Sequence, residues 1–227
     1  MILSEPVARI HAELKKKYDL TFTDLRLKGK DLSLLQIANI EPFLTGKDIF
    51  KDVSNFPYWI KLWESAMVLA DLMAGLSHPP GETLLEVGAG LGAAGLAAAA
   101  NGYEVTISDY QEEILDFPRV SAAASGLGNV RFQRLDWLNP PVDLPCYQVI
   151  IGAEILFRET FFEPLLDLFN RALLPGGTIY LAHDIRRQSM PKFLLKAEKY
   201  YQVAVSTRKI KEAGETITVI VNRLQAK

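Results

Sequence analysis

The stretch Thr83-Leu-Leu-Glu86-Val-Gly88-Ala-Gly90-Leu-Gly92 decides how this chain folds. Residues 83–87 are few and mostly apolar, as in a buried strand, and glycines at every second position then end the run. Glycine reaches positive φ freely and lets a ligand approach the backbone closely. The Ala-rich run 91–101 follows as a helix, stopped by Asn101-Gly102, and its first N–H groups point into the same cleft. Gly90-x-Gly92-x-x-Gly95 also has the spacing of a dinucleotide loop, a weak signal on its own.

Strands and helices alternate outward from this stretch. Downstream, strands are predicted at 104–108, 130–135, 147–151 and 178–182, and two more at 202–207 and 215–223. Helices are predicted at 111–125, with an interruption near Pro118, at 160–174, closed by Pro175-Gly-Gly177, and at 191–200. Upstream, 59–76 reads as helix and ends near His78-Pro-Pro-Gly81. Residues 5–18 read as a helix, and 20–27 and 32–37 as a hairpin turning at Lys28-Gly29-Lys30. The pattern predicts an α/β fold: a mostly parallel sheet with helices on both faces, residues 56–227, under a small helix and hairpin cap, residues 1–55. Ligands of such sheets bind at the carboxyl ends of the strands, so the candidate residues are sought there.

Composition excludes several classes. With 227 residues, 49% hydrophobic and 23% charged, the chain is expected to be globular rather than disordered or fibrous. Cys146 alone cannot form an intrachain disulfide, which suits a reducing, cytoplasmic setting. Met1-Ile-Leu-Ser-Glu-Pro6 does not read as a signal peptide, and the longest uncharged run, 87–103, is too short to span a bilayer; no membrane association is expected. No His/Cys cluster has metal-ligand spacing, so no metal is expected. The net charge of −2 hides an asymmetry: residues 76–184 carry 14 acidic and 5 basic side chains, and residues 185–227 carry 3 and 10. An acidic site suits a cationic ligand and argues against nucleic acid in that cleft. A monomer is the default expectation, for no long exposed apolar stripe is visible.

Two acids extend the glycine loop into a site. Asp109 ends the second strand, where a carboxylate accepts from ribose hydroxyls. Asp136 ends the third, in Arg134-Leu-Asp136-Trp137; it can accept from an adenine amino group while Trp137 packs on the ring. Glu86, two residues before the first glycine, stands where a nicotinamide-binding strand usually has an apolar residue. A nicotinamide-dependent oxidoreductase stays open as an alternative, but it leaves Glu86 and Trp63 without a task.

Residues 84–92 and Thr106-Ile-Ser-Asp109 resemble the first two motifs of class I, seven-stranded, S-adenosylmethionine-dependent methyltransferases, a likeness covering about residues 58–223. The resemblance implies a Rossmann-like sheet of seven strands with the last one antiparallel. It implies that Glu86, Gly88, Gly90 and Gly92 shape the pocket for the methionine end of S-adenosylmethionine. Asp109, with Tyr110 beside it, would hold the ribose, and Asp136 and Trp137 would face the adenine. S-adenosylhomocysteine would be the product.

The acceptor side is read from Ile150-Ile-Gly-Ala153-Glu154-Ile-Leu-Phe157. Base-modifying amino-methyltransferases typically carry an Asn/Asp-Pro-Pro-aromatic motif here, and its absence speaks against nucleic acid as partner. Glu154-x-x-Phe157 instead resembles the acid-x-x-aromatic motif of methyltransferase family 16, the seven-stranded lysine methyltransferases, with Phe where Tyr is more frequent. Residues 62–70 are similar to that family's tryptophan-bearing helix, which implies that Trp63 lies against the cofactor. Ala153 completes the cofactor-side candidates. Glu154 can orient an amine and accept its N–H bonds, and Phe157 can offer an apolar wall and a cation–π face. The expected activity is N-methylation of a lysine side chain in a protein, with a small amine as the alternative acceptor. Glu154 and Glu163 are nine residues apart, like the paired glutamates of arginine methyltransferases, a spacing read here as coincidence. His183-Asp184 reads as a satisfied strand end rather than a general base.

Overall fold

The structure is a computed structural model and describes residues 3–44, 57–187, 189–212 and 214–227. Its elements in chain order are α1 (Glu5–Lys17), β1 (Leu20–Leu27), β2 (Lys30–Ile37), α2 (Glu41–Leu44), α3 (Glu64–Gly75), β3 (Thr83–Val87), α4 (Ala93–Ala100), β4 (Glu104–Asp109), α5 (Glu112–Ala124), β5 (Val130–Arg134), β6 (Tyr147–Ala153), α6 (Phe162–Ala172), β7 (Leu173–Asp184), α7 (Met190–Ala197), β8 (Tyr201–Glu212) and β9 (Glu215–Ala226). Among the described residues, β1 and β2 pair only with each other, and the other seven strands form one sheet in the order β5-β4-β3-β6-β7-β9-β8. β3 to β7 pair in parallel, and β9 runs antiparallel between β7 and β8. This is the Rossmann-like, seven-stranded sheet with its last strand antiparallel that the sequence leads one to expect.

The central strands are apolar on both faces because both faces are covered. Leu84, Ile107 and Ile151 pack with Met73 of α3, Leu96 of α4 and Phe117 of α5 on one side. Leu85, Ile150 and Ile179 pack with Phe162 and Phe169 of α6 and Phe193 of α7 on the other. The N-terminal hairpin extends the first layer, since Leu34 and Leu35 are fully buried in that cluster. A hydroxyl of α5 and one just past its end fasten it: Leu35 N–H donates to Ser121 Oγ and Ser33 N–H to Ser125 Oγ, each at 2.9 Å. The expected boundary between cap and main domain, at 55/56, lies outside the described residues.

Three predicted elements are corrected. The helix expected over 59–76 begins only at Glu64, because residues 58–60 close a separate 3₁₀ turn and Lys61 is extended (φ −104°, ψ 139°). The Trp63 indole N–H donates to the Tyr58 carbonyl at 2.7 Å, holding that turn. Pro118 does not interrupt its helix; α5 runs through it, and the buried Ile114, Leu115, Phe117 and Val120 offset the lost N–H bond. Pro175-Gly-Gly177 is not a simple stop either. β7 already begins at Leu173, and the register jumps from Tyr147↔Leu173 to Val149↔Thr178, so the turn is absorbed as a bulge.

Candidate active site

The carboxyl ends of β3, β4 and β6 meet around the glycine loop. Gly88, Gly90 and Gly92 all have positive φ (63°, 54° and 74°). Two of them have no room for a side chain: a Cβ at Gly88 would stand 2.8 Å from Ile155 Cγ2 and 3.1 Å from Trp137 Cζ3, and one at Gly92 would stand 2.6 Å from Pro118 Cβ. Over Gly90 there is more room, the nearest atom to an added Cβ being the Trp59 Cα at 3.5 Å. Glu86 lies beneath the loop, 3% exposed, and its Oε2 accepts the Gly95 N–H at 3.0 Å. It therefore ties β3 to the first turn of α4. Burial pushes its carboxyl up to about 8, and the nearby Asp109 adds in the same direction.

Asp109 is also buried, at 5% exposure. Its Oδ2 accepts the Gly90 N–H at 2.9 Å and its Oδ1 the Tyr110 N–H at 2.8 Å. Burial raises it to about 6, with the N–H groups of Gly90, Tyr110 and Gln111 pulling the other way. Tyr110 is exposed at the rim. Asp136 sits in a loop of its own, accepting from Leu138 N–H at 2.9 Å and Asn139 Nδ2 at 3.1 Å, so the turn aims its carboxylate. These groups fit an adenosyl cofactor: a buried carboxylate on the loop, the Trp137 indole beside Gly88, and clearance over Gly90.

The acceptor loop is strained. Glu154 has φ +56°, and the other non-glycine residue with positive φ among those described, Lys28, sits in the hairpin turn. A left-handed glutamate costs energy and persists only where the surroundings over-determine it. They do so here with three bonds. The Glu154 N–H donates to the Ala182 carbonyl at 2.9 Å, Oε1 accepts the Asp184 N–H at 2.7 Å, and Oε2 accepts from Arg187 Nε at 2.6 Å. The Arg187 and Glu154 side chains are 15% and 8% exposed, so the ion pair is largely shielded. Each carboxylate oxygen keeps one further lone pair for a ligand.

Aromatic rings connect the two sides of the site. Phe157 stacks on Tyr58 (5.2 Å, 29°), and Tyr58 leans on Trp63 (5.9 Å). Phe161 meets Phe157 edge-on at 5.2 Å and Trp137 at 5.5 Å. The Arg158 guanidinium lies 5.8 Å from both the Phe157 and the Phe161 rings, so this pair already receives a cation. Ala153 is the last residue of β6, immediately before Glu154.

The residues named from the sequence thus fall into one region, with qualifications. Trp63 precedes α3 rather than riding within it, and the tryptophan whose backbone borders Gly90 is Trp59. Glu163 stands exposed on α6 and pairs with Lys196, away from Glu154's network. His183 is buried and its Nδ1 pairs with the Asn222 amide nitrogen at 3.2 Å; burial lowers it to about 4, so it is neutral at physiological pH. Tyr58, Trp59, Phe161 and Arg187 were not expected. Phe161 follows Phe157 by four residues and Arg187 follows Asp184 by three, but neither spacing marks a site without the fold.

A family model described as lysine methyltransferase matches residues 48–200. The chain is similar to mouse EEF1A lysine methyltransferase 3, at 33% identity over 133 residues, 56% of this chain and 56% of that protein. It is also similar to mouse histone-arginine methyltransferase METTL23, at 34% identity over 120 residues, 50% of this chain and 47% of that protein. The match therefore spans about half the length of each of these two relatives. Among solved structures, the fold resembles the N-methyltransferase NodS of Bradyrhizobium japonicum in complex with S-adenosyl-L-homocysteine, with TM-score 0.57 and 17% identity over 83% of this chain and 93% of that one.

Proposed function

This chain belongs to the lysine methyltransferase family, and on that premise we propose that it transfers a methyl group from S-adenosylmethionine to the side-chain nitrogen of a lysine in a protein. The observation that carries the reading is the strained Glu154 at the end of β6, its carboxylate held by Asp184 N–H and Arg187, with Phe157 stacked on Tyr58 three residues further on. Bound over the glycine loop, S-adenosylmethionine supplies an electrophilic methyl group on a cationic sulfur. Asp109 would receive the ribose hydroxyls, Asp136 and Trp137 the adenine, and Gly88, Gly90 and Gly92 would let the backbone come close.

The remaining chemistry falls to the acceptor loop. Only the neutral amine attacks, and free lysine holds its proton up to a pH of about 10.4. A bare carboxylate beside the amine would raise that value further and keep the proton on. Arg187 answers this difficulty. It cancels the charge of Glu154 while leaving lone pairs on both oxygens, so Glu154 orients the N–H bonds without stabilising the ammonium. Phe157, Tyr58 and Phe161 desolvate the amine, which favours its neutral form. The proton leaves to water. Most of the acceleration comes from positioning.

The nicotinamide alternative is not favoured by family membership. The choice between lysine and arginine is tested directly. Methyl-tritiated S-adenosylmethionine is incubated with cell lysate and the chain, and labelled protein is hydrolysed for amino-acid analysis. Label in methyl-lysine upholds the proposal. Label in methyl-arginine, the residue type named for the METTL23 relative, or label confined to small metabolites, overturns it. Glu154→Gln should abolish the label while S-adenosylhomocysteine still binds.

A further inference from the structure

We propose that the open edge of β8, with the groove it forms against α3, docks an extended acidic segment of the protein acceptor. The inference rests on the reading that the acceptor is a protein. β8 is the last strand of the sheet: it pairs along its length with β9, and among the described residues no strand pairs with its outer side. An unpaired edge of this length is a template for one more strand. Ala204 to Lys209 and Lys211 are all exposed.

Charge selects the occupant. Arg208 and Lys209 line a cavity of about 550 Å³ together with Lys28, Asp71, Met67 and Ile210, between α3, the N-terminal hairpin turn and β8. Asp71 is the acid of that wall and is matched by Lys28 at 3.4 Å. Among the carboxylates whose side chains are described, none lies within ion-pair distance of Arg208, Lys209 or Lys211. Residues 185–227 as a whole carry ten basic and three acidic side chains. An anionic extended segment is the complement of such an edge.

Position ties the edge to the chemistry. Arg208 pairs with Val219, and Val219 pairs with Asp184, whose N–H holds Glu154. Two strand spacings separate Arg208 from Asp184, about 10 Å, which an extended chain covers in about three residues. Acidic residues some three to six positions from the target lysine would therefore meet Arg208, Lys209 and Lys211. Basic side chains on an edge strand can also serve only to prevent self-association. That role has no preference for an acidic peptide, so binding distinguishes the two.

The test uses two fluorescein-labelled peptides with one central lysine, one carrying glutamates three to six residues to either side and its twin carrying glutamines there. Binding is read by anisotropy on the full chain, on Arg208→Glu/Lys209→Glu/Lys211→Glu and on the milder triple glutamine variant. The glutamate peptide should bind the native chain about tenfold tighter than its twin, three exposed ion pairs at a factor of about two each. Both variants should lose that preference, while the thermal shift with S-adenosylhomocysteine stays as in the native chain. Equal binding of the two peptides, or an unchanged preference in both variants, overturns the proposal. Displacement of the acidic peptide by a ten-nucleotide oligothymidine at an equal or lower concentration also overturns it, for the edge would then be an unselective anion surface. An acidic peptide that binds at this edge but stays unmethylated upholds the docking surface and counts against the acceptor reading, so the two can fail separately.

Discussion

Replacing Arg187 by alanine probes the acceptor site where stability and chemistry meet. Arg187 Nε lies 2.6 Å from Glu154 Oε2, with side-chain exposures of 15% and 8%. Removing one partner of a buried pair costs about 3–5 kcal/mol, because the other charge is left uncompensated. Glu154 would keep the Asp184 N–H at 2.7 Å, and water can enter the space the guanidinium leaves, so the lower end is expected, about 3 kcal/mol. For a chain of this size that lowers Tm by about 6–12 °C. The double variant Arg187→Ala/Glu154→Gln removes both charges and should fall short of the summed losses of Arg187→Ala and Glu154→Gln by about 1–3 kcal/mol. Catalysis adds a readout that structure alone would not move. With Arg187 gone, Glu154 is a bare anion beside the amine, so the pH at which methyl transfer rises should shift upward and part of the activity lost near neutrality should return under alkaline conditions. Arg187→Lys keeps the charge but loses the planar fork and should recover only part of both effects. Scanning fluorimetry and initial rates across the pH range measure these quantities. A Tm within about 2 °C of native, additive single losses and an unmoved pH profile would together refute the coupling of Arg187 to Glu154.

Glu86→Gln should change how stability depends on pH. The unfolded glutamate titrates near 4.5 and the folded one about 8, so between these values the folded chain holds a proton the unfolded chain has lost, and native stability falls as pH rises through that window. The glutamine variant should lack this decline; melting curves from pH 5 to pH 9 showing the same slope in both proteins would contradict the buried carboxyl. Gly88→Ala should cost about 2–4 kcal/mol, from a positive φ and a Cβ forced to 2.8 Å from Ile155, and should weaken S-adenosylhomocysteine binding in calorimetry. Ser121→Ala leaves the buried Leu35 N–H without its 2.9 Å acceptor and should lower stability by about 1–3 kcal/mol in urea titration, with cofactor affinity unchanged.

What the sequence made legible was what local chemistry decides. The apolar run 83–87 and the glycines after it name a strand and a tight loop whatever surrounds them, and Asp109 lands on that loop because β4 lies beside β3 in register. The start of α3 was not legible, since nothing in residues 57–63 says that the Trp63 indole turns back to the Tyr58 carbonyl. Pro118 misled for a similar reason: a rule about isolated helices is overridden by a helix face buried on both the sheet and the hairpin. The aromatic series from Trp63 through Tyr58, Phe157 and Phe161 to Trp137 joins residues as far apart in the chain as Tyr58 and Phe157, 99 positions. No periodicity reports contacts of that range.

Glu154 shows what the fold adds to the motif. As a letter in an acid-x-x-aromatic pattern it has a type and a neighbour. In the fold it has a backbone conformation that costs about 1–3 kcal/mol for a residue with a side chain. Glycine at 154 would remove that cost, yet it would also remove the carboxylate that bonds Asp184 and Arg187. Lys28, the other non-glycine residue in this conformation, is explained by its turn, whereas Glu154 follows a seven-residue strand and could have continued it. The left-handed backbone ends β6 and turns the following residues, so that Phe157 reaches Tyr58 and the carboxylate faces Arg187. Strain, ion pair and aromatic wall are thus one device, and each part accounts for a feature that the others leave unexplained.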